Sequence, residues 1–154
     1  MGEEFSEIVS SEENVARIIF SPSFIFEGRV SPTAFRWEIL PSGDAEDYIS
    51  VLRCNAEDNI DDQTKNFRAR TEGDTRYGYA VLQTKAIREI KNNPLLDNHV
   101  SIDVLPFPSK KLSNHAGIVV DIDDSRVTAN TPITPEIMFV QKMLAALCSD
   151  IIKF

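Results

Sequence analysis

The sequence predicts a single α+β domain, in which a mixed or antiparallel sheet of about five to six strands is packed by a C-terminal helix and one or two shorter helices. The chain has 154 residues, a common size for one domain. Hydrophobic residues make up 42% of it, as is usual for a globular core. Strand-like segments dominate the chain and its clearest helix comes last. That order favours α+β over a regular alternation of strands and helices.

Residues 1–13 are predicted to be a flexible acidic tail, and residues 14–154 to form the folded domain. The tail is polar and rich in glutamate, and no later segment divides the chain with a linker. The N-terminal region contains no apolar run long enough for a signal peptide or a membrane span. We therefore expect a cytoplasmic protein that does not bind membranes.

Segments rich in β-branched and aromatic residues predict the strands of the sheet. They are residues 15–20, 34–40, 48–53, 77–82, 99–105 and 115–122. In residues 34–40 the pattern is an imperfect alternation, with Phe35, Trp37 and Ile39 on one side. That spacing predicts a strand with one buried face.

Three helices are predicted, and the last is the clearest. Thr134 and Pro135 supply an N-cap and a first helical residue. The helix is expected to run to about Ile152, because apolar residues then recur every three or four positions. These residues are Ile137, Val140, Leu144, Leu147 and Ile151.

The other two predicted helices are shorter or more exposed. Residues 56–70 have Asn55 as a plausible N-cap, acidic residues in the first turn and arginines in the last. Residues 84–91 form a short helix that Thr84 would cap, and the Asn-Asn-Pro segment after it ends the helix.

The formal net charge of −8 limits the partners that the chain can bind. A surface with this negative charge repels nucleic-acid backbones and anionic lipids. Neither is therefore expected as a partner. A protein partner remains compatible with it. No glycine-rich nucleotide loop and no zinc-ligand spacing is present, so no cofactor and no metal is predicted.

A small set of polar residues at strand ends is the candidate site. His115 is the candidate acid or base, because histidine titrates near neutral pH. Arg29 and Arg53 are candidate anion-binding residues, with Ser50 and Asn114 in supporting roles. No general base is identifiable beside Ser50. The structural alternatives are that the histidine bonds a nearby carbonyl group and that the arginines form ordinary ion pairs.

Three carboxylates follow the last predicted strand. Asp121, Asp123 and Asp124 have the residue type that binds Mg²⁺ or Ca²⁺. Their spacing differs from an EF-hand loop, and aspartate is also favoured in turns for backbone reasons. We therefore interpret them as turn residues.

Three short segments together resemble a family of small uncharacterised bacterial proteins. They are GRVSPTAF, SVLR and NHAGI, and the resemblance spans roughly residues 17–120. It implies no particular activity. It marks Arg29, Ser50, Arg53, Asn114 and His115 as positions to test.

Two hypotheses for function follow. The first is a small accessory or interaction domain of a bacterial multi-protein system, favoured because no complete catalytic set is visible. The second is an enzyme acting on a phosphate- or nucleotide-containing substrate, by ADP-ribosyl or phosphoester chemistry. The second requires Arg29, Arg53 and His115 to converge in one cleft.

Overall fold

The computed structural model describes residues 7–54, 58–96 and 99–154. Within these ranges the strands are β1 (Asn14–Ser21), β2 (Ile25–Phe26), β3 (Arg29–Val30), β4 (Ile49–Cys54), β5 (Thr75–Gln83), β6 (Val100–Pro106), β7 (His115–Ile122), β8 (Ser125–Arg126) and β9 (Ile152–Lys153). The α-helices of the same ranges are α1 (Ile60–Thr64), α2 (Thr84–Glu89) and α3 (Pro135–Leu147). None of these helices is both long and apolar enough to cross a lipid bilayer.

The main sheet is antiparallel. In the described part of the chain its strands follow the order β6-β7-β4-β1-β5-β9, and β8 pairs with β7 outside that order. Strands β2 and β3 form a separate hairpin. The prediction of one α+β domain with an antiparallel sheet and a C-terminal helix is therefore confirmed.

Helix α3 packs against one face of the sheet and closes the main core. The hydroxyl group of Thr134 accepts a hydrogen bond from the Ile137 N–H at 3.3 Å, as expected of an N-cap. Ile137, Val140 and Leu144 are completely buried. They pack with the inward-facing side chains Val15, Ile19, Ile49, Val51, Ala80, Leu82, Ile118 and Val120.

The opposite face of the sheet carries a smaller apolar cluster. Its buried members are Ala16, Ile18, Leu52 and Ile60. Ile60 comes from α1, whose N-cap Asn59 accepts a hydrogen bond from the Asp62 N–H at 3.0 Å. Because this cluster is small, most of the second face is left to polar side chains and loops.

Strands β1 and β4 pair over a short stretch and then diverge. Their register joins residues 14–16 of β1 to residues 52–54 of β4. Beyond that point β1 follows β5 and β4 follows β7. The divergence places the middle of β4, around Ser50, beside a gap in the sheet.

The predicted strand at residues 34–40 is wrong. Residues Pro32–Ala34 form a short 3₁₀ helix, and the following segment has one isolated bridge, between Ile39 and Ala45. Phe35 and Trp37 are buried as the pattern suggested, whereas Ile39 is 48% exposed. The aromatic side chains reach the core from an irregular segment, so their alternation did not require strand pairing.

The middle helix is much shorter than predicted. It spans Ile60–Thr64, and Asn59 is its N-cap. Ile60 is its one buried apolar residue, so no apolar stripe supports a longer helix. Residues 55–57, which include the predicted cap Asn55, lie outside the described residues. Helix α2 begins at Thr84 as predicted, but Gln83 rather than Thr84 occupies the N-cap position, and Thr84 is the first helical residue.

The C-terminal helix ends before the predicted Ile152. It stops at Leu147, and Cys148 is its C-cap. The chain then runs along the edge of β5, where the Ser149 N–H donates to the Val81 carbonyl oxygen at 2.9 Å and β9 pairs with β5. An uncovered strand edge offers backbone hydrogen bonds that a last exposed helical turn would not gain.

Residues 7–13 of the predicted acidic tail lie against the domain. Val9 is completely buried in the main core. The carboxylate of Glu13 binds the Arg53 guanidinium through two contacts, at 2.8 and 2.9 Å. A buried arginine is costly without a carboxylate partner, so this ion pair helps to hold the segment against the sheet. Residues 1–6 lie outside the described residues.

Candidate functional site

Ser50 and His115 are brought together by the pairing of β4 with β7. The register places Ser50 opposite Gly117 and Leu52 opposite His115. Residues opposite each other share a face of an antiparallel sheet, so Ser50 and His115 are diagonal neighbours on one face. That face is the one opposite α3.

The two side chains are hydrogen-bonded to each other. The Ser50 Oγ and His115 Nε2 atoms are 2.8 Å apart. On the other side of the ring, His115 Nδ1 lies 3.0 Å from the carbonyl oxygen of Phe107. A carbonyl oxygen can only accept, so Nδ1 carries the proton and Nε2 of the neutral ring accepts from the Ser50 hydroxyl group. The sequence alone identified no base beside Ser50, and the structure places the His115 imidazole there.

The surroundings of His115 favour the neutral form of its ring and fix the orientation of the ring. Burial lowers the pKa of the imidazole, although the hydrogen bond to the Phe107 carbonyl opposes this by raising it. Tyr48 contacts the ring edge to face, with centroids 5.8 Å apart. Tyr48 and Phe107 stack over Gly117, where any Cβ atom would collide with both rings.

Ser50 and His115 both line a cleft with a volume of about 520 Å³. Its floor is formed by β1 and β4, and its walls come from residues 36–48 and 66–74. The aromatic residues that line it are Phe20, Phe24, Tyr48 and Phe67. A space of this size is sufficient for a small organic molecule.

Arg17 reaches the same cleft from the gap between β1 and β4. It is 8% exposed, and its Nε and Nη1 atoms donate to the carbonyl oxygens of Ala34, at 2.9 Å, and of Ser50, at 2.8 Å. Burial lowers its pKa to about 10, so the group remains a cation at neutral pH. The second of these bonds holds the guanidinium group beside the backbone of Ser50.

The cleft is less acidic than the protein as a whole. Among the described residues, its charged lining consists of Arg17, Arg36, Arg68, Arg70, Glu38, Glu46 and Asp74. Four cations thus face three carboxylates in a chain whose net charge is −8. Glu38 is engaged by Arg36 at 2.9 Å, which leaves fewer carboxylates to repel an anion.

The structure does not gather Arg29, Arg53 and His115 in one cleft. Arg53 is 2% exposed, lies on the α3 side of the sheet and is bound to Glu13. Arg29 is exposed on strand β3. The two predicted anion-binding positions therefore lie apart from His115, and Arg17 is the arginine placed next to Ser50. A charged residue inside an otherwise apolar strand was the sequence signal for it.

Asn114 supports the site through hydrogen bonds to neighbouring elements. It is 1% exposed, and its Nδ2 atom donates to the Arg53 carbonyl oxygen at 3.0 Å and to Gln63 Oε1 at 3.1 Å. The Arg53 N–H in turn donates to the Asn114 carbonyl oxygen at 2.8 Å. These bonds fasten the start of β7 to the end of β4 and thereby place the adjacent His115.

The remaining candidates are structural. Asp121 pairs with Arg126 at 2.7 Å, and Asp123 and Asp124 adopt the left-handed backbone conformation of a tight turn. Across the described ranges, no group of three or more His, Cys, Asp or Glu side chains is arranged to hold a metal ion.

Comparison with known proteins leaves the family open. No protein-family model matches the sequence, and neither a curated protein nor a solved structure is significantly similar to it. The resemblance of the GRVSPTAF, SVLR and NHAGI segments to small bacterial proteins thus stays a prediction.

Proposed function

We propose that this domain is an enzyme that cleaves an ester bond by nucleophilic attack of Ser50, with His115 as the general base. The observation that carries the proposal is the chain of hydrogen bonds from Ser50 Oγ through the His115 ring to the Phe107 carbonyl oxygen. A nucleophile, a base and a group that orients the base are the three parts that such catalysis requires.

The reaction has two steps, formation and then hydrolysis of a bond to Ser50 Oγ. Ser50 Oγ forms a bond to the central atom of the ester while its proton passes to His115 Nε2. The ester bond to the leaving group breaks, and the leaving alcohol takes that proton. Water then attacks the enzyme-bound group, gives a proton to Nε2 and releases the acid product, and the proton returns to Ser50 Oγ.

The protonation state of His115 suits this role. A base must be neutral before it accepts the serine proton, and burial of the imidazole lowers its pKa in that direction. The Phe107 carbonyl oxygen fixes the proton on Nδ1 and stabilises the imidazolium that forms during the first step.

Covalent labelling of Ser50 tests the proposal. A neutral alkyl fluorophosphonate should add once to the wild-type protein, and peptide mass spectrometry should place the adduct on Ser50. Ser50→Ala should abolish labelling, and His115→Ala should slow it about a hundredfold or more. Ser101→Ala, which alters an exposed serine on β6, is the matched control and should label normally.

Two results would overturn the proposal. One is a wild-type protein that neither labels nor hydrolyses any of a panel of p-nitrophenyl esters, including the acetate and the phosphate. The other is an adduct on a residue other than Ser50. Melting temperatures of both active-site variants should stay near the wild-type value, which separates lost reactivity from lost folding.

As a second candidate we propose a cytoplasmic accessory domain that binds a protein partner in a bacterial assembly. Exposed apolar side chains support it, above all Phe26 on the β2–β3 hairpin, which is 67% exposed. A large exposed apolar side chain on a hairpin is suited to a partner's pocket. Phe26→Ser should then abolish co-purification of one specific partner without changing the melting temperature. A wild-type protein that purifies alone as a monomer would contradict this candidate.

A further inference from the structure

Arg17 differs from most of the other buried or half-buried arginines in its partners. Arg36, Arg53, Arg76 and Arg88 each have a carboxylate within 3 Å. Arg17 is 8% exposed, yet no carboxylate among the described residues lies within ion-pair distance, 4 Å, of its guanidinium group. Its protein ligands there are the two carbonyl oxygens of Ala34 and Ser50.

A buried cation of this kind is costly unless an anion joins it. Neutral carbonyl oxygens compensate part of the lost hydration, but a full charge requires an opposite charge nearby. Glu38 and Glu46 stabilise the Arg17 charge from beyond contact distance. The Nη2 atom of Arg17 donates to no acceptor in the described part of the chain, and the side chain borders the open cleft.

A second arginine stands close to the first. The guanidinium carbons of Arg17 and Arg36 lie 5.5 and 5.1 Å from the centre of the same Phe24 ring. Two cations around one ring repel each other, and Arg36 accordingly lowers the pKa of Arg17, although burial is the larger cause. An anion bound beside both would relieve that repulsion.

From this geometry we infer that the substrate is a phosphate ester, and that its phosphate group binds the Arg17 guanidinium beside Ser50. The inference rests on the proposed function and names the substrate of the same cleft. Phosphate is favoured over a carboxylate because several arginines line the cleft, and the three non-bridging oxygens of a phosphate monoester can bind more than one guanidinium group at once. The aromatic residues around Phe24 provide a surface for the organic part of the ester.

The position of Arg17 also gives it a role during the reaction. Its Nη1 atom donates to the Ser50 carbonyl oxygen, and Arg17 and Ser50 line the same cleft, so we place the phosphate between Nη2 and the attacking hydroxyl group. Ser50 Oγ would then bond to phosphorus, and the bond to the alcohol oxygen would break. The guanidinium group would offset charge on the non-bridging oxygens.

Inorganic phosphate is the probe for the test, and Ser50→Ala is the protein that holds it without reacting. On titration with phosphate, the Nε–H resonance of Arg17 should shift saturably in a ¹H–¹⁵N spectrum. Arg17→Met should weaken phosphate binding about tenfold or more, which is the loss of one charge-assisted hydrogen-bond pair. Arg126→Met is the control: it removes an exposed cation on β8 and should leave the phosphate affinity unchanged.

Phosphate should also slow fluorophosphonate labelling of Ser50 in the wild-type protein, whereas acetate at equal ionic strength should not. If Ser50 labels but phosphate neither binds nor protects, the inference fails and the proposed function stands. If acetate protects as well as phosphate, the substrate is a carboxylate and the inference is wrong. If phosphate binds at Arg17 while Ser50 never labels, the proposed function fails and an anion-binding site remains. The titration follows the Arg17 resonance in the Ser50→Ala protein, so it tests phosphate binding even if the Arg17→Met variant does not fold.

Discussion

The ion pair between Glu13 and Arg53 offers the sharpest test of how the N-terminal segment joins the domain. The Arg53 side chain is 3% exposed and that of Glu13 is 21% exposed, and two contacts of 2.8 and 2.9 Å connect them. Glu13→Gln keeps the size of the side chain and removes its charge. The arginine would then remain buried without this carboxylate.

The expected loss follows from the burial of the two groups. Breaking a fully buried pair from one side costs about 3–5 kcal/mol, whereas an exposed pair contributes less than about 1 kcal/mol. Glu13 is partly exposed, so water can replace some of the lost contact, and we expect a loss of about 2 kcal/mol in the free energy of unfolding. For a chain of this length that corresponds to a fall of roughly 4–8 °C in melting temperature.

The effect should depend on pH. Burial by itself raises the pKa of the Glu13 carboxyl group, but the hydrogen bonds from Arg53 and the Ser10 N–H, together with the charges of Arg53 and Arg88, leave the pKa below its usual value. A lowered pKa in the folded state contributes stability above the unfolded pKa, and that stability is lost as pH falls through the folded pKa. The difference between the wild type and Glu13→Gln should therefore be full at neutral pH and shrink in acid.

Thermal unfolding followed by circular dichroism, at neutral pH and at about pH 3, would measure both effects. Glu12→Gln is the control, because it makes the same charge change on an exposed neighbouring residue. If the two variants melt at the same temperature at neutral pH, the Glu13–Arg53 pair does not stabilise the domain. The assignment of residues 7–13 to the folded unit would then be wrong.

Three further predictions concern the core and the site. Gly117→Ala should destabilise the protein by about 1–3 kcal/mol and slow serine labelling, because the added Cβ would lie 2.7 Å from two aromatic rings; unchanged unfolding would contradict this. Leu144→Ala should cost about 2–5 kcal/mol in denaturant unfolding, whereas Met138→Ala, which is 48% exposed, should change stability by less than about 0.5 kcal/mol. Labelling of Ser50 should fall as the pH decreases, with a midpoint below the usual histidine pKa, because burial lowers the pKa of His115 and only the neutral ring is a base. A flat pH profile would exclude His115 as the base.

Local patterns predicted the regular elements well. The Thr134-Pro135 start and the apolar spacing of α3 depend on residues within one or two helical turns, so the sequence contains them directly. Strands β6 and β7 were equally clear, since their alternation or continuous burial is a property of each segment alone. The order of these elements along the chain was enough to predict the α+β class.

Two of the errors occurred where distant residues decide the local structure. The buried aromatic residues of positions 34–40 pack under α3 from an irregular segment, and that helix lies about a hundred residues later in the chain. The end of α3 was misplaced because the edge of β5 competes for the last residues. Neither α3 nor the edge of β5 can be recognised from the sequence of the segment whose structure it determines.

The site divides in the same way. The sequence by itself indicated which residues to test: a histidine and a serine at strand positions, the asparagine before the histidine, and two arginines at strand ends. Tertiary structure alone decided which of them meet. The register of β4 against β7 brings Ser50 to His115 across 65 positions, and the divergence of β1 from β4 lets Arg17 bind the Ser50 carbonyl oxygen, whereas Arg53 is bound to Glu13. Because neighbouring strand residues face opposite sides, only the pairing of whole strands could make that choice.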